Sequence, residues 1–416
     1  KPMKHLTRIL LAAFLALHAA PGRAAPVHGR LELQDVFARE SDRSVSSMLG
    51  KRERNDVLGS LRVRWEPRRG PWRFAFQYQL GFDAGDTPLL AAREKALALF
   101  PKAPPRTWWD LTDTTMDGNN FTLTQRIDRA SIGYTGAHVV IRAGRQALTW
   151  GAGLVFHPMD LFDPFSPDAT DTEYKPGADM LYTQYLFDDG SDLQFVAVPR
   201  PPQRGDDPTL DASSFALLFH TALGPWRTSF LAAQDHGDTV AALGVSGALS
   251  GATWNAELVP TYVDDDRTYV SGLANISDAF TLAGRDATIF AEYYRNGFGL
   301  EARRYSLASL PAPLTDRLLR GQVFNTGRDY LSLGGTLQWT PLLEIAPTLI
   351  ANLNDGSFYA LGEATWSLED NLNLIAGARL PLGPSNTEFG GLPVIGSGAP
   401  YAEQPTRVYL QLRRYF

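Results

Sequence analysis

Between Trp72 and Phe82 every second side chain is large and apolar. Trp72, Phe74, Phe76, Tyr78, Leu80 and Phe82 fall on one face of an extended chain, and Arg73, Ala75, Gln77, Gln79 and Gly81 on the other. The same period of two, weaker in places, recurs to the last residue. It predicts strands over 28–38, 55–67, 71–83, 120–134, 137–149, 178–187, 191–199, 213–223, 226–235, 238–250, 252–263, 267–278, 286–297, 329–339, 343–353, 356–367, 371–381 and 406–416. This is an all-β chain of eighteen strands, with sixteen as the alternative count. A soluble sandwich would bury the apolar face as core and a membrane barrel would turn it to lipid. Period alone does not separate the two.

The connections do. Every second one is short: Pro67 to Gly70, Thr135-Gly136, Asp188 to Gly190, Gly224-Pro225, Gly251, Ala279 to Arg285, Thr340 to Leu342 and Leu368 to Asp370. Every connection longer than about ten residues (39–54, 84–119, 150–177, 200–212, 298–328 and 382–405) falls on the opposite side, as in a transmembrane antiparallel barrel with short periplasmic turns and long external loops. Trp65, Trp72, Trp226, Trp254, Trp339 and Trp366 all lie beside predicted short turns, where an interfacial aromatic girdle belongs. An even strand count puts both termini on the periplasmic side.

The ends agree with export to an outer membrane. Lys4 and Arg8 precede an apolar stretch from Ile9 to Ala20, and Gly22-Arg23-Ala24 offers small residues for cleavage, so residues 1–24 are expected to be a cleaved signal and 25–416 a single barrel. The apolar stretch is shorter than the ~20 residues of a spanning helix. Losing 1–24 removes Lys1, Lys4, Arg8 and Arg23 and no acid, taking the net charge from −6 to −10, a balance that disfavours nucleic acid. With no cysteine, disulfides and thiolate metal sites are excluded.

Val408, Leu410 and Leu412 alternate up to a terminal Phe416, which resembles the final-strand signal by which Gram-negative outer-membrane barrels are recognised for assembly. Arg414 stands where that pattern usually has an aromatic. A second resemblance is internal. The run Gly144-Arg145-Gln146, Trp150-Gly151-x-Gly153, Pro158-x-Asp160-x-Phe162-x-Pro164, followed by Lys175-Pro176-Gly177-Ala178-Asp179, resembles porin-like outer-membrane proteins. The resemblance implies a barrel and names no solute.

Counted from the N-terminus, 150–177 is the third external loop. In proteins resembling the general porins that loop folds into the barrel and narrows it. It carries Asp160, Asp163, Asp168, Asp171 and Glu173, and neighbouring strands carry Arg62, Arg64, Arg73, Arg126, Arg142 and Arg145. Acids facing an arginine wall would set a transverse field across a water-filled constriction. Arg145 is out of phase with Arg142, and a bulge at Gly144 would turn it inward. The alternative is that Arg145 and Asp160 or Asp163 only pin the loop, which the usual pairing of buried charge favours.

Other features carry less. Residues 88–100 read as a helix in the second external loop, with Leu89, Leu90, Leu97 and Phe100 as an apolar stripe, over the barrel mouth or as a subunit latch. Asp264-Asp265-Asp266 could offer oxygens to calcium, but three consecutive acids on an extended chain do not converge on one ion. Asp235-His236 resembles the acid–histidine pair of barrel proteases, yet Gly237-Asp238 makes it a hairpin turn, and neither it nor His157 comes with a nucleophile. The chain is therefore expected to be no enzyme, to need no cofactor, and to pass small hydrophilic solutes. Its expected partners are outer-membrane lipids and lipopolysaccharide, the barrel assembly machinery through Phe416, and further copies of itself. A conduit for lipid or polymer export is the competing reading, to be recognised by a lateral opening or an apolar lumen.

Overall fold

The computed structural model describes residues 27–97, 107–263, 267–394 and 400–416; the expected signal segment and Asp264 to Asp266 lie outside them. Eighteen strands form one antiparallel ring: β1 Val27–Arg39, β2 Glu53–Trp65, β3 Trp72–Gly85, β4 Phe121–Thr135, β5 Val139–Gln146, β6 Ala178–Leu186, β7 Asp192–Val198, β8 Ser214–Leu223, β9 Trp226–Asp235, β10 Asp238–Leu249, β11 Ala252–Val263, β12 Arg267–Leu282, β13 Arg285–Arg295, β14 Asp329–Thr340, β15 Leu343–Asn352, β16 Phe358–Glu369, β17 Leu372–Leu382 and β18 Thr406–Tyr415. Each pairs with its neighbours in the chain. β18 closes the ring on β1 over ten positions, from Arg30↔Tyr415 to Arg39↔Thr406. The closing seam ends tightly: Phe416 and Gly29 exchange main-chain hydrogen bonds of 2.7 and 3.0 Å, and a Cβ at Gly29 would lie 2.2 Å from the Phe416 ring.

The period of two becomes an inside and an outside. In β1, Leu31 and Leu33 are exposed while Arg30 is 1% and Gln34 8% exposed. In β18, Val408, Leu410 and Leu412 are exposed against a buried Gln411. An apolar exterior wrapped round a closed sheet with no free edge is the one β architecture whose backbone is satisfied inside a bilayer. Among the described residues no helix is long and apolar enough to cross a membrane; the strands do so. All six predicted girdle tryptophans sit at the strand ends beside the short turns, where Trp72 packs edge-on against Tyr134 at 5.3 Å.

Three expectations shift. The predicted 279–285 connection is a two-residue turn, Ala283-Gly284, because β12 runs on to Leu282 and both turn residues take positive φ (51° and 77°). The predicted strand 137–149 stops at Gln146. The predicted helix over 88–100 is Asp86–Leu97, with residues 98–100 outside the described set; it packs against β2 and β3 at the long-loop rim, where Asp56 accepts from the Thr87 amide at 2.7 Å and Leu90 is 2% exposed. Two elements in long loops were not expected from the sequence: a strand at Thr112–Asp117 and a helix at Ala312–Arg320, whose amphipathic face buries Leu314 and Arg317.

Candidate functional site

The site begins where β5 stops. At Gly144 φ is +114° and an added Cβ would stand 2.2 Å from the Ala130 carbonyl, so only glycine fits beside β4. The register of β4, β5 and β6 runs through Gly144 without a shift, so the expected bulge is absent. Arg145 is 2% exposed and forks onto Asp179 of β6 at 2.8 and 2.9 Å, with a further bond to the Trp109 carbonyl. The Trp109 amide donates to the same Asp179 at 2.8 Å. Past Gln146 the chain leaves the wall, and Thr112–Asp117 from the second long loop takes its place beside β4.

The departing loop crosses the lumen. Trp150 Nε1 donates to Gln194 on β7 at 3.0 Å. The Ala152 amide donates to Glu257 of β11, and the amides of Leu154, Val155 and Phe156 converge on Glu292 of β13 at 2.6, 3.0 and 2.8 Å. Asn275 of β12 ties both ends, donating to the Ala152 carbonyl and to Glu292 at 3.0 Å each. Gly153 permits this hairpin of amides, since a Cβ there would lie 1.7 Å from the Phe156 carbonyl. The Phe156 ring stacks on Tyr294 at 4.3 Å. Returning, Asp168 meets Arg407 of β18 at 2.8 Å, Asp171 and Glu173 hold Arg30 of β1 (2.8 Å to Glu173), and the Tyr174 ring lies 4.6 Å from the Arg30 guanidinium and 4.3 Å from that of Arg62. On a ring of eighteen, β11 stands seven strands from β18 and eight from β1, close to half the circumference, so one loop is fastened on both sides of the lumen.

The two walls differ chemically. Towards β6–β11 the inward face carries an apolar patch at the level of the loop, where Trp150, Met159 and Phe162 pack on Met180, Val196, Leu218 and Val259. Along β7–β10, Val196, Val198, Ala216, Leu218, Leu231, Val240 and Ala242 turn inward as apolar side chains where the loop packs, while Asp192 and His220 nearer the short turns stay polar. Towards β17–β5 the wall is arginine. Arg62 pairs with Asp128 at 2.7 Å and donates to Gln79; Arg126 reaches Asp128 at 3.2 Å and Gln79 at 3.0 Å. Arg64, Arg73 and Arg142 pair with no carboxylate among the described residues; Arg142 lies 4.3 Å over the Tyr182 ring and Arg73 is exposed.

Arg145 and Asp160 do not meet each other. Asp160, 4% exposed, pairs with Lys175, whose ammonium also reaches the Leu148 carbonyl. Burial pushes the Asp160 carboxyl up to about 6 and the Lys175 ammonium down, each despite the other's charge. Burial, then Lys175, lowers the His157 imidazole to about 4. Asp163 is buried at a φ of 55°. The anchors Arg30, Arg407, Glu257, Glu292 and Lys175 were not singled out as site residues from sequence. For Glu257 the signal is a lone charge at an inward position of an otherwise uncharged strand, and for Lys175 its place in the quoted motif; Arg30 and Arg407 share their inward faces with Glu32 and Arg413 and carry no such mark.

The crossing loop leaves a cavity of about 600 Å³ on its short-turn side, lined by Asp192, His220, Arg227 and Glu257. Another of about 450 Å³ opens on its long-loop side, between Asp56, Asp83, Arg379, Arg407 and Asp168. His236 and Gly237 form the tight turn between β9 and β10 (φ 51° and 86°), and Asp235 accepts from Gln322 of the long 296–328 loop at 2.5 Å. Among the described residues no group of three or more His, Asp or Glu is placed to hold a metal.

No family model matches the chain, and no curated protein does. Among solved structures the chain is similar to two variants of a Rhodopseudomonas blastica porin, each at 10% identity over 94% of this chain and 99% of the other, with TM-scores of 0.45 and 0.46.

Proposed function

We propose that this protein is an outer-membrane, porin-like channel through which small hydrophilic solutes diffuse, with the loop 147–177 as its constriction. The observation that carries this reading is the loop fastened across the lumen, acids toward an arginine wall, with polar cavities above and below it. Such a wall favours hydrated, charged or dipolar solutes over apolar ones. In this reading the short-turn rim and both termini are periplasmic, residues 1–24 are a cleaved signal, and Phe416 serves barrel assembly. Asp168 is the loop acid that lines the long-loop-side cavity, and Arg64, Arg73 and Arg142 are the wall cations left to meet solute.

The export alternative required a lateral opening or an apolar lumen. The β1–β18 seam is paired over ten positions and the apolar inward side chains are packed under the loop, both of which support solute diffusion instead. Planar bilayers doped with the purified full chain provide the test. Discrete conductance steps are expected; a correctly folded barrel that stays silent overturns the reading.

A further inference from the structure

The cavity of about 600 Å³ on the short-turn side of the loop is floored by two cross-strand rows. In the row nearer the loop, His220 of β8 stands in register between Asp192 of β7 and Ser229 of β9. In the row nearer the turns, Arg227 of β9 stands opposite Ser246 of β10. The rows are two residues, about 6.7 Å, apart, so one small solute can touch both. The imidazole is oriented from behind. Trp150 occupies the Gln194 oxygen, so Gln194 Nε2 donates to Asp192 at 3.1 Å, as Gln184 Nε2 does at 3.1 Å. His220 Nδ1 lies 3.0 Å from the same carboxylate, which keeps the proton on Nδ1 and leaves a lone pair on Nε2. That Nε2 has no partner among the described residues and is open to the cavity, the side chain being 33% exposed. The Ser229 and Ser246 hydroxyls are likewise open and unpartnered among the described residues.

The charges of this cavity are separated along the pore. Its two acids, Asp192 and Glu257, belong to the row nearer the loop, and neither pairs with a lysine or arginine among the described residues; Glu257, two strands beyond Ser229, is engaged by the Ala152 amide. Its one arginine, Arg227, belongs to the row nearer the turns, is exposed, and has no ion pair among the described residues. We propose that this floor is a solute subsite for a zwitterionic α-amino acid, its ammonium donating to His220 Nε2 and Ser229 Oγ and its carboxylate on Arg227 and the Ser246 hydroxyl. An ammonium at that end meets a lone pair backed by the uncompensated charge of Asp192, and a guanidinium fork matches the carboxylate. A solute with a carboxylate alone has Arg227 to bind but brings no cation to the acids of the other row. The proposal rests on the channel reading and assigns its solute class.

The test is a ligand-observed NMR titration of L-alanine and L-lactate with the full chain in detergent, at low salt and at a mildly alkaline pH where an ordinary imidazole is neutral. Conductance of the same preparation is measured separately. The two solutes share a skeleton and a carboxylate and differ in ammonium against hydroxyl. Alanine is expected to bind about fivefold or more tightly than lactate, the margin of a charge-assisted over a neutral hydrogen bond in an open site. R227Q is expected to weaken alanine by about fivefold, the upper range for a solvent-exposed ion pair. It removes an exposed side chain without an ion pair, and compact gel mobility verifies its fold. Lactate bound as tightly as alanine, or a folded R227Q barrel that binds alanine like the parent, overturns the subsite even where conductance persists. A silent barrel that still prefers alanine overturns the channel and leaves the subsite standing.

Discussion

Replacing Glu292 by alanine removes the one carboxylate on which three loop amides converge. Leu154, Val155 and Phe156 donate to it at 2.6–3.0 Å and Asn275 joins them, while the carboxylate itself is fully buried. A hydrogen bond to a charged group contributes ~1.5–3 kcal/mol, and the freed amides keep their desolvation penalty. These terms are not additive, so two bonds at the low end, ~3 kcal/mol, are a conservative figure. At ~1.4 kcal/mol per tenfold, that raises the population of released loop about a hundredfold. Chymotrypsin reports it, because Phe156, Phe162 and Phe165 lie in the loop and cleavage follows the open population when reclosing is fast. E292A is expected to be cut within 154–165 about a hundredfold faster than the parent, while the barrel keeps its folded mobility. E292Q, which keeps one acceptor, is expected to fall between. A folded E292A barrel cut at the parental rate would refute the assignment of Glu292 as the anchor.

Three further outcomes follow from the same geometry. Asp160, raised to about 6, favours the fixed loop below its ordinary range near 4 and loses that contribution as pH rises through 6; His157, lowered to about 4, favours it above about 6.5 and loses it as pH falls to 4. The two oppose each other, so loop proteolysis of the parent is expected to vary little between pH 4 and 6.5, D160N to loosen on acidification and H157Q to tighten; slopes of the same sign in both variants would contradict this. G144A forces a side chain to a φ of +114° and into the Ala130 carbonyl, and is expected to lower the folded fraction seen on unheated gels; an unchanged folded fraction would count against the close approach. R30A removes the buried fork that holds Asp171 and Glu173; these acids are partly exposed, so the loss is that of a charge-assisted hydrogen bond, ~1.5–3 kcal/mol, and the urea midpoint is expected to fall accordingly; R30K, lacking the fork, should not restore it.

The barrel was legible because lipid imposes a period. Each strand must show apolar atoms at every second position over its whole membrane depth, so Trp72 to Phe82 or Val408 to Leu412 declare their outward faces without reference to any partner. Alternating connection lengths then order the strands. The short turn after β12 was misread because Ala279 to Leu282 continue the strand with a weaker period.

The site was legible only as a place. Glycine, tryptophan and proline spacing marks 144–164 as the segment that leaves the wall, and its order in the chain assigns it to the third loop. Its partners are another matter. The pairing of Arg145 with Asp179 spans two strands, Asp160 with Lys175 closes the loop on itself, and Glu257 and Glu292 come from strands more than a hundred residues away. Charges in an arginine-rich chain offer many pairings of similar local merit, and alternation gives only the face a side chain occupies. Which acid meets which cation depends on the path of a loop whose backbone has no period, and that path is settled by the apolar surface of Trp150, Met159 and Phe162 finding the inner faces of β6–β11. What the sequence by itself determined is therefore the wall: strand number, order, and inside against outside. Only the tertiary structure decided the crossing, because contacts across the lumen join residues that no local pattern relates.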